Sequence, residues 1–208
     1  MKGSRIVAEL KERSITSGNF VFTPTSIEGV MAIDVKTYGD RRGYFMETYR
    51  RDNFVAAGID AEFVQDNQSS SSQGVLRGLH FQIAHPQAKL VRVIRGTVFD
   101  VAVDLRAGSP TWGKWEGIVL SEENHRQFFV PRGFAHGFLV LSDEAEFCYK
   151  CDDTYHPGDE GGVMWNDSEI GIVWPAFLGE KNFDPARVIL SDKDKIHPPL
   201  SALKNQYR

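Results

Sequence analysis

Short stretches of alternating apolar residues, separated by turn residues, constrain the fold of this chain more than any other feature. Residues 96–106 show the pattern most clearly, because apolar side chains occupy every second position. Such alternation is typical of a β-strand with one buried and one solvated face. The apolar face would carry Phe99, Val101, Val103 and Leu105, and the solvated face Asp100, Asp104 and Arg106. Further short strands are predicted at 89–95, 118–120, 127–130, 138–141 and 146–151.

Helical patterns are confined to the margins of the chain. A short amphipathic stretch occupies 5–13, Asp52 is a candidate helix cap, and Pro198-Pro199 is expected to begin a final short helix. The serine run at 69–72 is interpreted as a turn. Many strands between peripheral helices predict an all-β chain, either a β-sandwich or a jelly-roll barrel.

The length of the chain predicts its domain organisation. At about 150 residues per domain, 208 residues predict one domain spanning 1–208. Within it, residues 1–18 are expected to form an N-terminal extension, and 176–208 a peripheral C-terminal segment.

Charge and hydrophobicity exclude several classes of partner. Lys and Arg total 24 and Asp and Glu total 28, which gives a net charge of −4. The chain therefore has no excess of basic residues that would indicate a nucleic-acid partner. No run approaches the roughly 18 apolar residues of a membrane-spanning helix, so no membrane partner is expected. The early charges Glu9, Lys11 and Glu12 leave no secretory apolar segment, and a cytoplasmic location is expected.

The two cysteines, Cys148 and Cys151, form a C-x-x-C pair. Such a pair can be a redox motif or half of a zinc site. Because the surrounding residues alternate like a strand and no second pair supplies ligands, two reduced thiols on a strand are expected.

A first candidate for chemistry is the apolar segment that contains Arg77 and His80. A buried charge or imidazole must be paired or must serve a purpose that offsets its desolvation. His80 is therefore either a satisfied core histidine or a functional group. Regular alternation places the two residues on opposite faces, and Gly78 would tolerate the bulge that brings them together.

Two further polar residues share strand positions with core residues. Lys89 is in line with Val91 and Val93, so its ammonium either extends out at the strand end or points into a cavity where it could bind an anion. Tyr149 has the parity of Phe147 and should face inward. It is either an ordinary core tyrosine or a proton donor to an enolate carbon.

A second histidine segment contains Pro131, Gly133 and His136 in the spacing P-x-G-x-x-H. This pattern resembles the second signature of the cupin jelly roll. Metal-binding cupins pair it with H-x-H, where this chain has His80-Phe81-Gln82. No metal is expected, because one or two imidazoles do not complete a metal site, and the histidines are free for proton transfer. Near the end of the chain, either Asp192 or Asp194 could orient His80, although the charged run that contains them also suits a solvated loop.

Motifs in a fixed order along residues 20–200 resemble the dTDP-4-dehydrorhamnose 3,5-epimerases of the cupin superfamily. They comprise D-x-R-G-x-F-x-E at 40–47, Q-x-N at 65–67, L-R-G-L-H-F-Q at 76–82, K-L-V-R at 89–92, V-P-x-G-F-A-H-G-F at 130–138, W-x-D at 165–167, I-G-I-x-W-P at 170–175 and L-S-x-K-D at 190–194. The stretch 174–190 is longer than the family pattern. The resemblance implies a cupin jelly roll, no metal or organic cofactor, and a homodimer.

The resemblance also implies roles for individual residues. His80 would be the base, Asp194 its dyad carboxylate and Tyr149 the general acid. Lys89 would stabilise an enolate oxygen in the manner of an oxyanion hole. The implied substrate-binding residues are Arg42, Glu47, Gln65, Asn67, Arg77, His136, Tyr155, Glu160 and Lys193, with the nucleotide-sugar contacted partly from the neighbouring subunit and Tyr155 stacked on thymine.

The expected function is epimerisation at C3 and C5 of dTDP-4-dehydro-6-deoxy-D-glucose to dTDP-4-dehydro-L-rhamnose, for cell-surface polysaccharide. Three alternatives stay open at this point. The first is inversion of C3 alone or C5 alone on a related 4-keto-deoxysugar. The second is a metal-dependent cupin oxygenase, which would need a third ligand near His80 and His136. The third is a non-catalytic sugar-binding cupin.

Overall fold

A computed structural model describes residues 13–203, so all but Arg13 of the predicted amphipathic stretch at 5–13 lies outside the described residues. Short strands dominate the described part. The strands are β1 (Ile15–Ser17), β2 (Phe20–Pro24), β3 (Met31–Val35), β4 (Thr37–Asp40), β5 (Gly43–Met46), β6 (Gln65–Ser72), β7 (Leu76–Gln82), β8 (Lys89–Arg95), β9 (Thr97–Asp104), β10 (Trp115–Ser121), β11 (Gln127–Val130), β12 (Phe134–Val140), β13 (Glu144–Cys151) and β14 (Glu160–Gly162). The helices are α1 (Arg51–Ala56), a 3-10 turn (Pro185–Arg187) and α2 (Leu200–Leu203).

Two large antiparallel sheets form the body of the fold. The first has the strand order β1-β2-β3-β11-β8-β13-β6, the second β10-β9-β12-β7-β14, and β4 and β5 form a separate hairpin. Neighbours in each sheet are mostly distant in sequence, as in the crossing connections of a jelly roll. The cupin jelly-roll prediction is confirmed. Between residues 13 and 203, no helix has the length and apolarity needed to cross a membrane.

Side chains from the two sheets meet in an interior layer. Val91 and Phe147 reach it from the first sheet, and Val98, Ala102 and Phe138 from the second. Two of these rings, Phe138 and Phe147, stack with centroids 4.1 Å apart across the layer. Lys89 and Tyr149 also point inward, because each lies two residues from an inward-facing residue of its strand, Val91 and Phe147 respectively.

The outer faces of both sheets are covered as well. Phe54 of α1 packs on the first sheet, and Trp165, Trp174 and Phe177 of the C-terminal part pack on the second. The prediction that β9 is half-buried with a solvated polar face is therefore wrong. Its apolar residues face the C-terminal part, and its polar face, including the fully buried Asp100, points into the interior.

Two local predictions are also wrong. Residues 69–72 are not a turn but the second half of β6, whose alternating exposure shows that one polar face lies towards the interior. A strand with two polar faces has no apolar alternation to reveal it. Asp52 lies in the first turn of α1 and does not cap it, because Arg50 occupies the cap position. The helix after Pro198-Pro199 is confirmed as α2.

The cysteine pair lies on a strand, as predicted. Cys148 is partly buried and Cys151 fully buried on β13, and both are free thiols. Burial raises the pKa of Cys151 to about 11, so its thiol stays protonated near neutral pH.

Candidate active site

A cavity of about 740 Å³ opens between the two sheets. A second cavity of about 300 Å³ adjoins it, and the two share His80, Lys89 and Tyr149 as lining residues. His80 projects from the second sheet, whereas Lys89 and Tyr149 project from the first. The three residues that the sequence singled out on separate strands therefore converge on one space.

A bulge in β7 places Arg77 and His80 on the same cavity wall. In the ladder with β12, His136 pairs with His80 and Phe138 with Arg77, so three steps along β7 match two along β12. Gly78 lies at this irregularity, and a Cβ there would approach the Gly137 Cα to 2.6 Å. The change of register confirms the predicted bulge at Gly78. A glycine is required there because no larger residue fits where the two backbones meet.

His80 and Asp194 form a hydrogen-bonded pair. Nε2 of His80 lies 2.5 Å from Oδ1 of Asp194, and the Ser191 hydroxyl donates to Oδ2 at 2.8 Å. Burial opposes ionisation of this carboxyl, but the bonds from His80 and Ser191 outweigh burial and hold the pKa of Asp194 below its usual range. An ionised Asp194 requires a hydrogen on Nε2, which leaves the lone pair of Nδ1 on the neutral ring.

The longer stretch at 174–190 does not displace the carboxylate from the site. Asp194 is buried, whereas Asp192 is fully exposed and pairs with Lys195. The alternative between the two aspartates is thereby decided in favour of Asp194.

A second carboxylate lies on the other side of the His80 ring. Oε1 of Glu160 lies 4.0 Å from Nδ1, and Oε2 of Glu160 accepts from the Lys193 ammonium at 2.6 Å. Burial raises the pKa of Glu160, but the Lys193 hydrogen bond and nearby charges more than offset this, and the net pKa is lowered. Glu160 and Lys193 thus lie beside the candidate base, and the Tyr155 hydroxyl lies 3.4 Å from Glu160.

Lys89 and Tyr149 lie on the opposite wall. Burial lowers the pKa of Lys89, while the charges of Asp100 and Glu160 oppose that shift. Burial also raises the pKa of Tyr149, which keeps its phenol protonated near neutral pH. Neither the Lys89 ammonium nor the Tyr149 hydroxyl makes a hydrogen bond to another residue within 13–203, so both are available to a ligand.

Asp100 lies behind the cavity wall, and the sequence did not single it out as a candidate. Nε2 of His136 lies 3.0 Å from both carboxylate oxygens of Asp100, and both side chains are buried. Burial raises the pKa of Asp100, and the His136 and Lys89 charges counteract the rise. Its position was correctly placed on the polar face of β9, and the only error was to assume that this face meets solvent.

The polar strand β6 supplies the edge of the site. Gln65 and Asn67 line the smaller cavity and are linked by a 3.0 Å hydrogen bond. The Tyr155 amide donates to Gln65 at 2.8 Å, which holds the half-exposed Tyr155 ring at the rim of that cavity. Arg77 donates to Ser71 at 3.1 Å on the side of the larger cavity.

Two predicted binding residues are not brought to the cavities of their own chain. Arg42 is exposed at the tip of the β4–β5 hairpin and is held by Asp40. Glu47 pairs with Asn19 and Arg50. Neither Arg42 nor Glu47 lines either cavity.

The sequence left a metal site open as an alternative. Among residues 13–203, the three side chains that could share an ion are His80, Asp194 and His197, whose ligand atoms lie within 4.8 Å of one another. Two ligands of one tetrahedral zinc ion are about 3.3 Å apart when each bond is about 2.0 Å. The 2.5 Å between His80 and Asp194 fits a hydrogen bond instead. His136 does not belong to this group, since its Nε2 faces Asp100.

Comparisons with known proteins identify chains that are similar to this one. A family model of dTDP-4-dehydrorhamnose 3,5-epimerases matches residues 24–202. A dTDP-4-dehydrorhamnose 3,5-epimerase of Methanothermobacter thermautotrophicus is 52% identical over 181 residues, which cover 87% of this chain and 95% of the relative. A dTDP-4-dehydrorhamnose 3-epimerase of Streptomyces niveus is 46% identical, over 73% of this chain and 74% of the relative.

A solved structure extends the similarity to the fold. The dTDP-6-deoxy-D-glucose-3,5-epimerase of Legionella pneumophila, crystallised with dTDP-4-keto-L-rhamnose, is 49% identical to this chain with a TM-score of 0.80. The match covers 86% of this chain and 92% of the Legionella chain. On the strength of the family model and these relatives, this chain belongs to the dTDP-4-dehydrorhamnose 3,5-epimerase family.

Proposed function

We propose that this chain inverts C3 and C5 of dTDP-4-dehydro-6-deoxy-D-glucose to give dTDP-4-dehydro-L-rhamnose. The observation that carries the proposal is the placement of the His80–Asp194 pair and Tyr149 on facing walls of one cavity. Inversion at carbon requires removal of a proton on one face and its return on the other. A sugar ring held between the two sheets would meet a base on one side and an acid on the other.

The proton transfers follow from the chemistry of a 4-keto sugar. The ketone acidifies the hydrogens at C3 and C5, and Nδ1 of His80 removes one of them as general base. The C–H electron pair forms a C=C bond to C4, and the π pair of the C4 ketone moves onto oxygen to give an enolate. The Lys89 ammonium stabilises that negative charge, and Asp194 stabilises the imidazolium that forms. The C=C pair then takes the phenolic proton of Tyr149 on the opposite face of the carbon, the C4 ketone re-forms, and Tyr149 is left as a phenolate. Solvent takes the proton from His80 and restores the one on Tyr149 before the second centre reacts.

The surrounding polar groups suit a nucleotide-sugar. Arg77 lines the larger cavity and can donate to sugar or phosphate oxygens, and the Asp100-supported His136 lines the same cavity. Gln65 and Asn67 line the smaller cavity, and the exposed Tyr155 ring at its rim suits stacking on a thymine base. Glu160 and Lys193, paired beside His80, are in reach of the same ligand.

The remaining binding residues point to a homodimer. Arg42 and Glu47 lie away from the cavities of their own chain, on or next to a hairpin that exposes Tyr44 and Phe45. Exposed apolar rings on a projecting hairpin favour burial against a partner. We propose that two copies pair so that each hairpin covers the site of its partner. The free thiols at Cys148 and Cys151 agree with a reducing, cytoplasmic compartment.

Inversion of C3 alone is the second candidate, favoured by the similarity to the Streptomyces niveus 3-epimerase. Incubation with the 4-keto substrate in deuterated water, followed by NMR of the sugar, distinguishes the candidates. Deuterium at C3 and C5 with inversion of both supports the main proposal. Deuterium and inversion at C3 only supports the second candidate, and no exchange at either carbon contradicts both.

A further inference from the structure

A second imidazole approaches the Asp194 carboxylate. Nε2 of His197 lies 3.3 Å from Oδ1, the same oxygen that faces His80. The His197 ring stands edge-on to the His80 ring, with centroids 5.4 Å apart and planes at 77°. Only 9% of the His197 side chain is exposed. The buried Nε2 forms no hydrogen bond of regular geometry within 13–203, and Asp194 is the carboxylate that lies within 4.0 Å of it.

The fold makes room for this ring by omitting a side chain. Gly162 lies directly opposite His80 in the β14–β7 ladder. A Cβ at position 162 would fall 2.2 Å from Cε1 of His197, so any other residue there would occupy the space of the ring. The chain next to His197 is anchored, because the Met164 amide donates to the Pro198 carbonyl at 3.0 Å. The arrangement of His80, Asp194 and His197 is therefore held from both sides.

We propose that His197 is a positioning residue that donates a hydrogen bond to Asp194. The negative charge of Asp194 is then divided between His80 and His197. The proposal rests on the role of His80 as the base. A carboxylate that accepts from two imidazoles has a restricted orientation, and each donor receives less of its charge. His197 touches neither of the two cavities that His80 lines, so it acts on the reaction through Asp194.

The charge state of His197 fits a donor. Burial and the neighbouring His80 lower the pKa of His197, although Asp194 opposes the shift, so the ring is neutral near pH 7. A neutral ring can donate its Nε2 hydrogen without adding a positive charge beside the base. The titratable groups that face His80, Asp194 and His197 come from several elements. They are Glu160 from β14, Lys193 from the loop that carries Asp194, and Lys89, Tyr149, Arg77 and His136 across the cavities.

The test compares variants at one position by their pH dependence. His197→Phe keeps a ring but removes the donor, and His197→Gln keeps an N–H near the position of Nε2. Without the donor, Asp194 concentrates its charge on His80 and stabilises the protonated, inactive ring. In His197→Phe we expect the acidic limb of kcat/KM to move up by about half a pH unit, with KM unchanged. His197→Gln should restore the native profile, and Ile196→Ala, at the exposed neighbouring position, should leave it unmoved.

A purely structural role gives a different result. Equal loss of rate at every pH in His197→Phe, or a native profile, overturns the proposal. His197→Ala cannot clash with Gly162 and should show the same upward shift if His197→Phe fails to fold. ¹⁵N NMR of the histidines in the substrate-free protein measures protonation of His80 without activity. If His80 in His197→Phe gains its proton at a higher pH than in the native protein, while His80→Ala turns over at the native rate, the coupling stands and the proposed role of His80 is removed. If the pH at which His80 gains its proton is the same in His197→Phe as in the native protein, the coupling itself is overturned.

Discussion

Nε2 of His80 lies 2.5 Å from Oδ1 of Asp194, although 114 residues separate them in the sequence. The backbone next to β7 explains how they meet. Ile189 forms a parallel bridge to Val75, with backbone hydrogen bonds of 2.8 Å to Gly74 and 3.0 Å from Leu76. The residues before Asp194 are thus tied to the start of the strand that carries His80, and the contact forms although the preceding stretch is longer than the family pattern.

Removal of the imidazole should abolish most of the activity. His80→Ala is expected to lose at least about 100-fold in turnover, the usual scale for a general base, and to keep its fold. Steady-state rates with the 4-keto sugar and circular dichroism measure the two effects. The matched control is His85→Ala, because His85 is exposed and lines neither cavity that His80 lines. Near-native turnover of His80→Ala would remove His80 from the mechanism.

Loss of the Tyr149 hydroxyl should separate hydrogen exchange from inversion. Tyr149→Phe retains the ring packing against Phe147, so His80 can still abstract a proton while the donor on the other face is missing. We expect substrate hydrogen to exchange with deuterated water while little inverted sugar forms. Mass spectrometry and NMR of the recovered sugar measure both.

The control for that experiment is Tyr49→Phe, which removes a hydroxyl from a ring that packs on Phe54 and Phe63 outside the cavities. Inversion at the native rate in Tyr149→Phe would identify Tyr149 as an ordinary core residue. Loss of both exchange and inversion would instead assign it to binding or to enolate stabilisation.

Neutralising Asp100 should change the pH dependence on the basic side. Burial lowers the pKa of Lys89 and the Asp100 charge partly offsets that effect. In Asp100→Asn the pKa of Lys89 should fall further, so the ammonium that we propose stabilises the enolate would be lost at lower pH. We expect the basic limb of kcat/KM to move down by about one unit. Asp66→Asn, whose carboxylate pairs with Lys150 on an exposed face, should leave the profile unchanged. An unmoved basic limb in Asp100→Asn would contradict the coupling to Lys89.

Asp104 should contribute stability that disappears in acid. Although it is buried, its bonds to Arg106, Thr111 and Ser109 lower the pKa of Asp104 to about 2. A carboxyl pKa that is lower in the folded state than in the unfolded state, where it is about 3.9, stabilises the fold at pH values above about 3.9. This stabilisation is lost as the pH falls through the folded-state pKa. The linked contribution is about 2 kcal/mol at pH 7.

Urea unfolding of Asp104→Asn at pH 7 and near pH 2 tests this contribution. Asp104→Asn should have a lower free energy of unfolding than the native protein at pH 7. This deficit should be about 2 kcal/mol larger at pH 7 than near pH 2. Asp52→Asn, at an exposed position, should show no such difference between the two pH values. A deficit in Asp104→Asn that does not depend on pH would rule out the linkage.

The β4–β5 hairpin should control assembly and substrate affinity together. Phe45 is 69% exposed in the single chain. Phe45→Ser is expected to shift sedimentation from dimer towards monomer at micromolar concentration. It should also raise KM, because in the proposed dimer Arg42 of the partner subunit would no longer reach the site. Val173→Ser, at an equally exposed apolar position, should leave both unchanged. A native protein that sediments as a monomer would contradict the homodimer.

Local pattern was sufficient for much of the fold and for the inward placement of several candidate site residues. Alternation identified β8 and β11 at their observed bounds and placed Lys89 and Tyr149 on inward-facing positions. These predictions succeed because strand parity depends only on neighbouring residues. The division into one domain with flanking segments at 1–18 and 176–208 stays a prediction.

What the sequence alone determined is which residues share a face; what only the tertiary structure decided is where each face points. Residues such as Trp165 and Trp174, far along the chain, cover the apolar face of β9 and leave Asp100 directed into the interior. The approach of His80 and His197 to one carboxylate oxygen of Asp194 likewise depends on the Ile189 bridge and on the space at Gly162. Contacts of this kind join residues far apart in sequence, and no periodicity records which distant segment will cover a given face.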